Sequence, residues 1–326
     1  MVQQFRSLNF INLFYLFLLL LLLRVGLLAT MPEAVNSGFR EFFSRLLLNF
    51  DLDSYLSPFA NLLVAFLAVY TQALWFNQVI NKHAILGKAT FLPAASYIIV
   101  SSVFTPFLSF TPPLLCNFML LYIFDRILSE YKNSSSVAAM FDLGFLVSLG
   151  TLFYFPFVGF LVLLWIALLL FKPFYWREWL SVLVGYLTLV FILGVYYYWN
   201  NRLLDFIEIW EPLSSKMPIY INIQVMDYVV LFPIVICVLL SLYYLNINFF
   251  KSYVLVRKSF QLAIFIMLIA VFTYYIKSVF RINHFILCAV PVALSLAYYF
   301  LHAKKKWVYE TLFLTVIAVI IYFQFV

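Results

Sequence analysis

Hydrophobic positions in this chain follow neither a strand nor a surface-helix period. They come in unbroken runs of roughly twenty residues, the length that carries an α-helix across a bilayer core, and polar residues collect between the runs. Eleven such runs fall near 8–30, 58–80, 91–109, 113–130, 138–156, 158–171, 179–199, 227–248, 259–277, 283–302 and 308–326. Each predicts a transmembrane helix, because a segment in hydrocarbon must satisfy its backbone hydrogen bonds within itself. Strands of a membrane barrel would alternate apolar and polar residues, whereas Leu13 to Leu23 and Val316 to Phe323 are apolar on every face. The expected fold is therefore all-α: a polytopic helix bundle forming one membrane domain over 1–326. Pro156 leaves 138–171 open between two short helices with a tight turn and one long kinked helix.

Composition agrees, with 66% of residues hydrophobic and 10% charged. The placement of the charges predicts orientation, since Lys and Arg are held on the cytoplasmic side during insertion. With the N-terminus inside and the C-terminus outside, inner segments carry Arg6, Lys82, Lys88, Arg126, Lys132, Lys172, Arg177, Lys251, Arg257, Lys258, Lys304, Lys305 and Lys306, thirteen of the twenty cations. Acidic residues sort the other way. Glu33, Glu41, Asp51, Asp53, Asp205, Glu208 and Glu211 fall in the two long outer segments, 31–57 and 200–226, and Asp227 adjoins the second, so that eight of thirteen lie on the outer side. The net charge of +7 is spread over inner loops, where anionic lipid would attract it, and no basic face for nucleic acid forms. The first run is longer than a signal-peptide core and reads as a retained helix. Cys116, Cys237 and Cys288 sit singly within runs and imply neither a disulfide frame nor a metal site.

Candidate chemistry concentrates on the outer side. In 33–50, Val35, Phe39, Phe42, Phe43, Leu46, Leu47 and Phe50 share one helical face and Arg40, Glu41, Ser44 and Arg45 take the other, the pattern of a helix lying in the headgroup plane. It fits a lid over a lipid-facing site or a cover for helix ends. Asp51 and Asp53 follow, two carboxylates that can converge on a divalent cation or act as a catalytic base and its orienter. Asp53 or Ser54 is equally suited to cap the next helix, whose first turn holds Pro58. Lys277, Arg281 and His284, together with Arg24 inside the first run, are suited to hold a lipid phosphate, and ordinary headgroups would satisfy the same cations by snorkelling. Trp210 beside Glu208 and Glu211 offers a sugar platform or an interfacial anchor. Trp176, Arg177 and Trp179 read as an aromatic belt, and Asp125 with Arg126 as a local ion pair.

Three histidines cannot furnish a four-histidine iron site, and no Walker, GxSxG or HExxH motif is present. Paired broken spans in matching halves, a frequent mark of secondary transporters, are also absent.

Read in order, NKHAILGKATFLPAASYIIVSS, PPLLCNFMLLYIFDRILSEYK, MFDLGFLVSLGTLFYFPFVGF, FYWREWLSVLVGYL and INHFILCAVPVALSLAYYF resemble a bacterial family of polytopic inner-membrane proteins that carries a domain-of-unknown-function label. The resemblance rests on Asn117, Phe141, Asp142, Gly144, Phe153, Tyr154, Trp176, Arg177, Gly185 and Pro291, and it implies location without a chemistry. The layout of first span, long outer loop with an acidic pair, then bundle is also similar to multi-span glycosyltransferases that use polyprenyl-phosphate sugars, and Arg281-x-x-His284 before Pro291 is similar to their late basic motif. That likeness implies an enzyme of cell-envelope biogenesis acting at the outer face on a polyprenyl-phosphate-linked substrate, with Asp51 or Asp53 as base or metal ligand and Arg24, Lys277 and Arg281 on phosphate. The alternatives are a non-catalytic assembly scaffold, whose partners would dock on the outer loops, and a lipid or solute transporter.

Overall fold

The structure, a computed structural model, describes residues 1–29, 39, 57–132, 137–208, 225–248, 253–276 and 282–325, all of them helix, turn or connecting coil with no strand. Each of the eleven apolar runs holds a main helix: α1 Ile11–Leu22, α2 Pro58–Lys82, α3 Leu92–Val100, α4 Pro112–Ser129, α5 Val137–Phe153, α6 Phe160–Phe171, α7 Trp176–Trp199, α8 Val225–Asn248, α9 Val254–Thr273, α10 Ala289–His302 and α11 Lys306–Phe325. Six helical stretches among the described residues are long and apolar enough to cross a membrane by themselves: Pro58–Lys82, Trp176–Trp199, Val229–Asn248, Val254–Ile276, Ile282–His302 and Lys306–Phe325. The chain is a membrane-embedded helical protein. Eleven full spans is a larger number than those six helices show.

The difference lies where helices break. The run 91–109, read as one span, is α3 followed by a turn, an extended residue at Phe104 and a 3₁₀ turn over Thr105–Leu108. The α-helix has already ended at Val100, and Pro106 stands in the first turn of the 3₁₀ stretch, where its missing N–H leaves no bond unmade. In 283–302, Ile282–Cys288 is 3₁₀ and the α-helix begins only at Ala289. Pro291 cannot donate to Leu287, so it is accommodated in the first helical turn, where N–H groups are unpaired anyway. Around Pro156 the two-helix alternative holds, with a 3₁₀ turn Phe155–Gly159 between α5 and α6. The first run breaks after Leu22, and a short helix Val25–Ala29 follows.

All nine residues of α3 are buried, so its uniform hydrophobicity reflects a central helix enclosed by protein. It packs chiefly on α10 and α2 and also touches α1, and Tyr97, Phe76, Phe300 and Phe313 fill the surrounding core.

Contacts sort the connections into two ends. At one, Arg6 donates through Nη2 to the carbonyls of Phe300 (2.6 Å) and Ala303 (2.9 Å), and the Phe91 amide donates to Phe5 (2.9 Å). There too Lys82 and His83 meet Asp125 at 2.9 and 2.7 Å, Lys172 pairs with Glu178 at 3.4 Å, and the Lys258 ammonium lies 5.2 Å from the Tyr131 ring centre. Among the described residues, Arg6, Lys82, Lys172 and Lys258, four of the cations assigned to inner loops, thus gather at one end of the bundle. The expected pair of Asp125 with Arg126 does not form: Asp125 takes Lys82 and His83, and Arg126 reaches Glu130 one turn on, at 3.1 Å, because side chains four apart face each other on a helix and adjacent ones do not. At the opposite end, Asn61 accepts from the Phe110 amide (2.8 Å) and Gln324 donates to the Leu23 carbonyl.

Candidate functional site at the end opposite the basic loops

Arg24 stands between α1 and the short helix Val25–Ala29, and its side chain turns into the protein, where it is 3% exposed. Nη1 donates to the Leu108 carbonyl at 2.9 Å and lies 3.4 Å from that of Leu62. The Leu108 oxygen is available because the 3₁₀ turn ends there and Ser109 is extended. Nε and Nη2 are buried without a hydrogen-bond partner, and no carboxylate among the described residues pairs with the guanidinium. A neighbouring Phe66 ring, 5.7 Å away, faces the cation. A desolvated cation with unused donors is costly in hydrocarbon surroundings and marks a place where an anion would be stabilised.

His284, from the 3₁₀ stretch before α10, is 1% exposed. Its Nε2 lies 2.6 Å from the Ala270 carbonyl and 3.4 Å from Thr273 Oγ1, and its Nδ1 lies 2.7 Å from the Tyr154 hydroxyl. A carbonyl only accepts, so Nε2 donates and Nδ1 accepts from Tyr154. Both ring nitrogens are engaged by protein. Asn117 secures the same stretch by donating to the Ile286 carbonyl at 2.9 Å, and a buried relay runs from the Tyr97 hydroxyl to Gln72 Oε1 (2.9 Å) and from Gln72 Nε2 to the Leu114 carbonyl (2.7 Å).

The segment that offers Leu108 to Arg24 also walls an apolar cavity of about 480 Å³ through Val103 and Phe107. Its other walls include Ile234 of α8, Val271 of α9, Phe285 and Val292. α8 and α9 both pack on α10 and have almost no contact with each other, and Val235 and Val271 are exposed at the gap between them. The cavity therefore opens sideways, where a bilayer would supply hydrocarbon.

Of the residues expected to carry chemistry, Arg24 and His284 come to this end of the bundle, joined through packing of Thr105–Leu108 on Ile282–Cys288. Asp51, Asp53, Lys277 and Arg281 lie outside the described residues, as does the amphipathic segment except Phe39, whose ring stacks on Phe110 at 5.1 Å. The helix cap is corrected. Ser57, and neither Asp53 nor Ser54, accepts from the Ala60 amide (3.3 Å) with Pro58 in the first turn, since a cap must sit immediately before the first helical residue. Among the described residues no three His, Cys, Asp or Glu side chains converge as metal ligands. Sequence reasoning missed Tyr154, Thr273 and Asn117 as partners of the His284 stretch; a polar residue inside an apolar run was the available signal.

Residues 42–326 match the model of DUF6427, a family of unknown function. The chain belongs to this family. No curated protein and no solved structure matches it. Membership in DUF6427 accounts for the first resemblance and brings no chemistry with it, and nothing in these comparisons shows the glycosyltransferase likeness.

Proposed function

We propose that this DUF6427 protein is a multi-pass protein of the bacterial inner membrane, with its basic end in the cytoplasm, that binds a lipid-linked anion at the opposite face. The observation that carries this reading is Arg24, buried with two nitrogens unpartnered. A phosphate oxygen would supply the missing acceptors and the missing charge together. The sideways cavity between α8 and α9 suits a hydrocarbon tail by its apolar lining and its opening, as lipid and ligand sites are mostly apolar with a few polar groups that fix orientation. Lys277 and Arg281, just before Ile282 in sequence, would add charge for the headgroup. His284 leaves the phosphate-binding set, because both of its nitrogens are already engaged, and takes a positioning role.

Within this reading the substrate class is a polyprenyl phosphate or its sugar conjugate, and the role is one in envelope biogenesis. The catalytic version adds glycosyl transfer, with Asp51 or Asp53 as base or as ligand of a divalent cation. Native mass spectrometry of the purified protein with polyprenyl phosphate and the uncharged polyprenol tests the binding step. Wild type should retain the phosphate at least tenfold better, Arg24→Lys part of that preference, and Arg24→Gln none. Equal retention of phosphate and alcohol by wild type would overturn the proposal.

A further inference from the structure

A second, separate feature lies at the basic end. The groove between α5 and α7 has a volume of about 1040 Å³, and its lining includes Asp142, Arg177, Trp176, Leu180 and Val184. Deeper along the two helices it closes where Gly144 and Gly185 bring the backbones together. Asp142 and Arg177 are both exposed on this groove, and neither forms an ion pair, with the other or with any described residue. Arg177 instead lies 5.8 Å from the Trp176 ring and 6.0 Å from the Tyr175 ring. Arg126, also on the groove, is already paired with Glu130. Among the described residues, a cation and an anion outside any ion pair, Arg177 and Asp142, therefore share a cleft whose outer wall, Leu180 and Val184, is exposed and apolar.

Two opposite charges that line one groove without meeting are complementary to a ligand carrying both signs. Asp142, the sixth residue of α5, faces the groove as a carboxylate with no counter-ion among the described residues. An ammonium would supply one. Arg177 sits in the first turn of α7, whose Tyr175 cap makes no side-chain hydrogen bond, so phosphate there would meet the guanidinium and unpaired amides of a helix N-terminus together. The aromatic residues fix this level as headgroup depth, and Leu180 and Val184 continue the groove along α7 for an acyl chain. We propose that the α5–α7 groove binds a zwitterionic phospholipid with a primary ammonium, its phosphate on Arg177 and its ammonium on Asp142. A primary ammonium donates hydrogen bonds to a carboxylate, and the quaternary ammonium of a choline lipid has none to donate, so the site distinguishes ethanolamine from choline headgroups.

The full-length protein, reconstituted in vesicles of equal parts phosphatidylethanolamine, phosphatidylcholine and phosphatidylglycerol and then released for native mass spectrometry, tests this. Wild type should carry phosphatidylethanolamine at least fivefold over either other lipid. Asp142→Asn should erase the preference over phosphatidylcholine while lipid is still retained, Arg177→Gln should lose the bound lipid, and Arg177→Lys should keep part of it. Both positions are exposed, so unchanged elution on size exclusion and an unchanged melting curve establish that each variant is folded. Equal retention of the three lipids by wild type, a preference for phosphatidylglycerol, or an undiminished ethanolamine preference in folded Asp142→Asn would overturn the assignment.

Discussion

Gly144 and Gly185 let two helices meet backbone to backbone: a β-carbon on Gly144 would overlap the Val182 carbonyl oxygen, and one on Gly185 would overlap that of Phe141. The contact is reciprocal and makes α5 and α7 the most intimately packed helix pair among the described residues. Lipid is as apolar as a leucine surface, so association of membrane helices depends on close packing, and small residues permit it. The charged groove at the basic end exists because the helices are pinned here.

Alanine at either glycine should separate the pair. Gly144→Ala or Gly185→Ala is expected to cost about 1–3 kcal/mol, as overpacking does in a closed interface, measured by reversible unfolding in mixed micelles. The double variant should cost less than the sum, since one separation relieves both overlaps. Gly194→Ala is the control: its β-carbon would meet only the Phe206 ring at 3.6 Å, so stability should hold or rise slightly with the better helix former.

Removing the Tyr154 hydroxyl should loosen the start of α10. Tyr154→Phe takes away the donor to His284 Nδ1 and is expected to cost about 1–3 kcal/mol, the penalty of a buried acceptor left unpaired. Thr273→Val should cost less, because its contact to the ring is the longer one at 3.4 Å. The same unfolding measurement ranks the two.

Topology follows from the gathering of basic loops at one end. A reporter active only in the cytoplasm should work when fused after Lys88 or Lys306 and fail when fused after Val326. Activity at Val326 with silence at Lys306 would invert the orientation, and activity at both would reduce the number of crossings.

Because Ser57 caps α2, substitutions at Asp51 and Asp53 do not act through that cap. Asp51→Asn and Asp53→Asn should therefore abolish complementation of a deletion strain at normal protein abundance if the carboxylates hold a metal or move a proton. Full complementation by both would leave the scaffold reading. Ser57→Ala should cost about 1 kcal/mol of stability and leave function intact.

The unbroken apolar runs by themselves determined the helical class, the position of eleven helices and the loops that would share an end, because backbone satisfaction in hydrocarbon and the clustering of cations are properties a linear pattern carries. Tertiary structure decided the rest. Hydrophobicity on all faces reads alike for a helix in lipid and a helix enclosed by others, so α3 passed for a span until its neighbours were seen. Pro156 left one helix or two open along the chain, and packing decided that 3₁₀ turns would stand there and, unforeseen, at Thr105–Leu108 and Ile282–Cys288. Arg24 and His284 looked like equivalent phosphate ligands along the chain. Only the fold gave His284 a partner on each nitrogen and left Arg24 with donors to spare, since hydrogen-bond saturation depends on residues distant in sequence, such as Tyr154 for His284 and Leu108 for Arg24. Asp142 and Arg177 became one groove for the same reason: glycines forty-one positions apart brought their helices into contact.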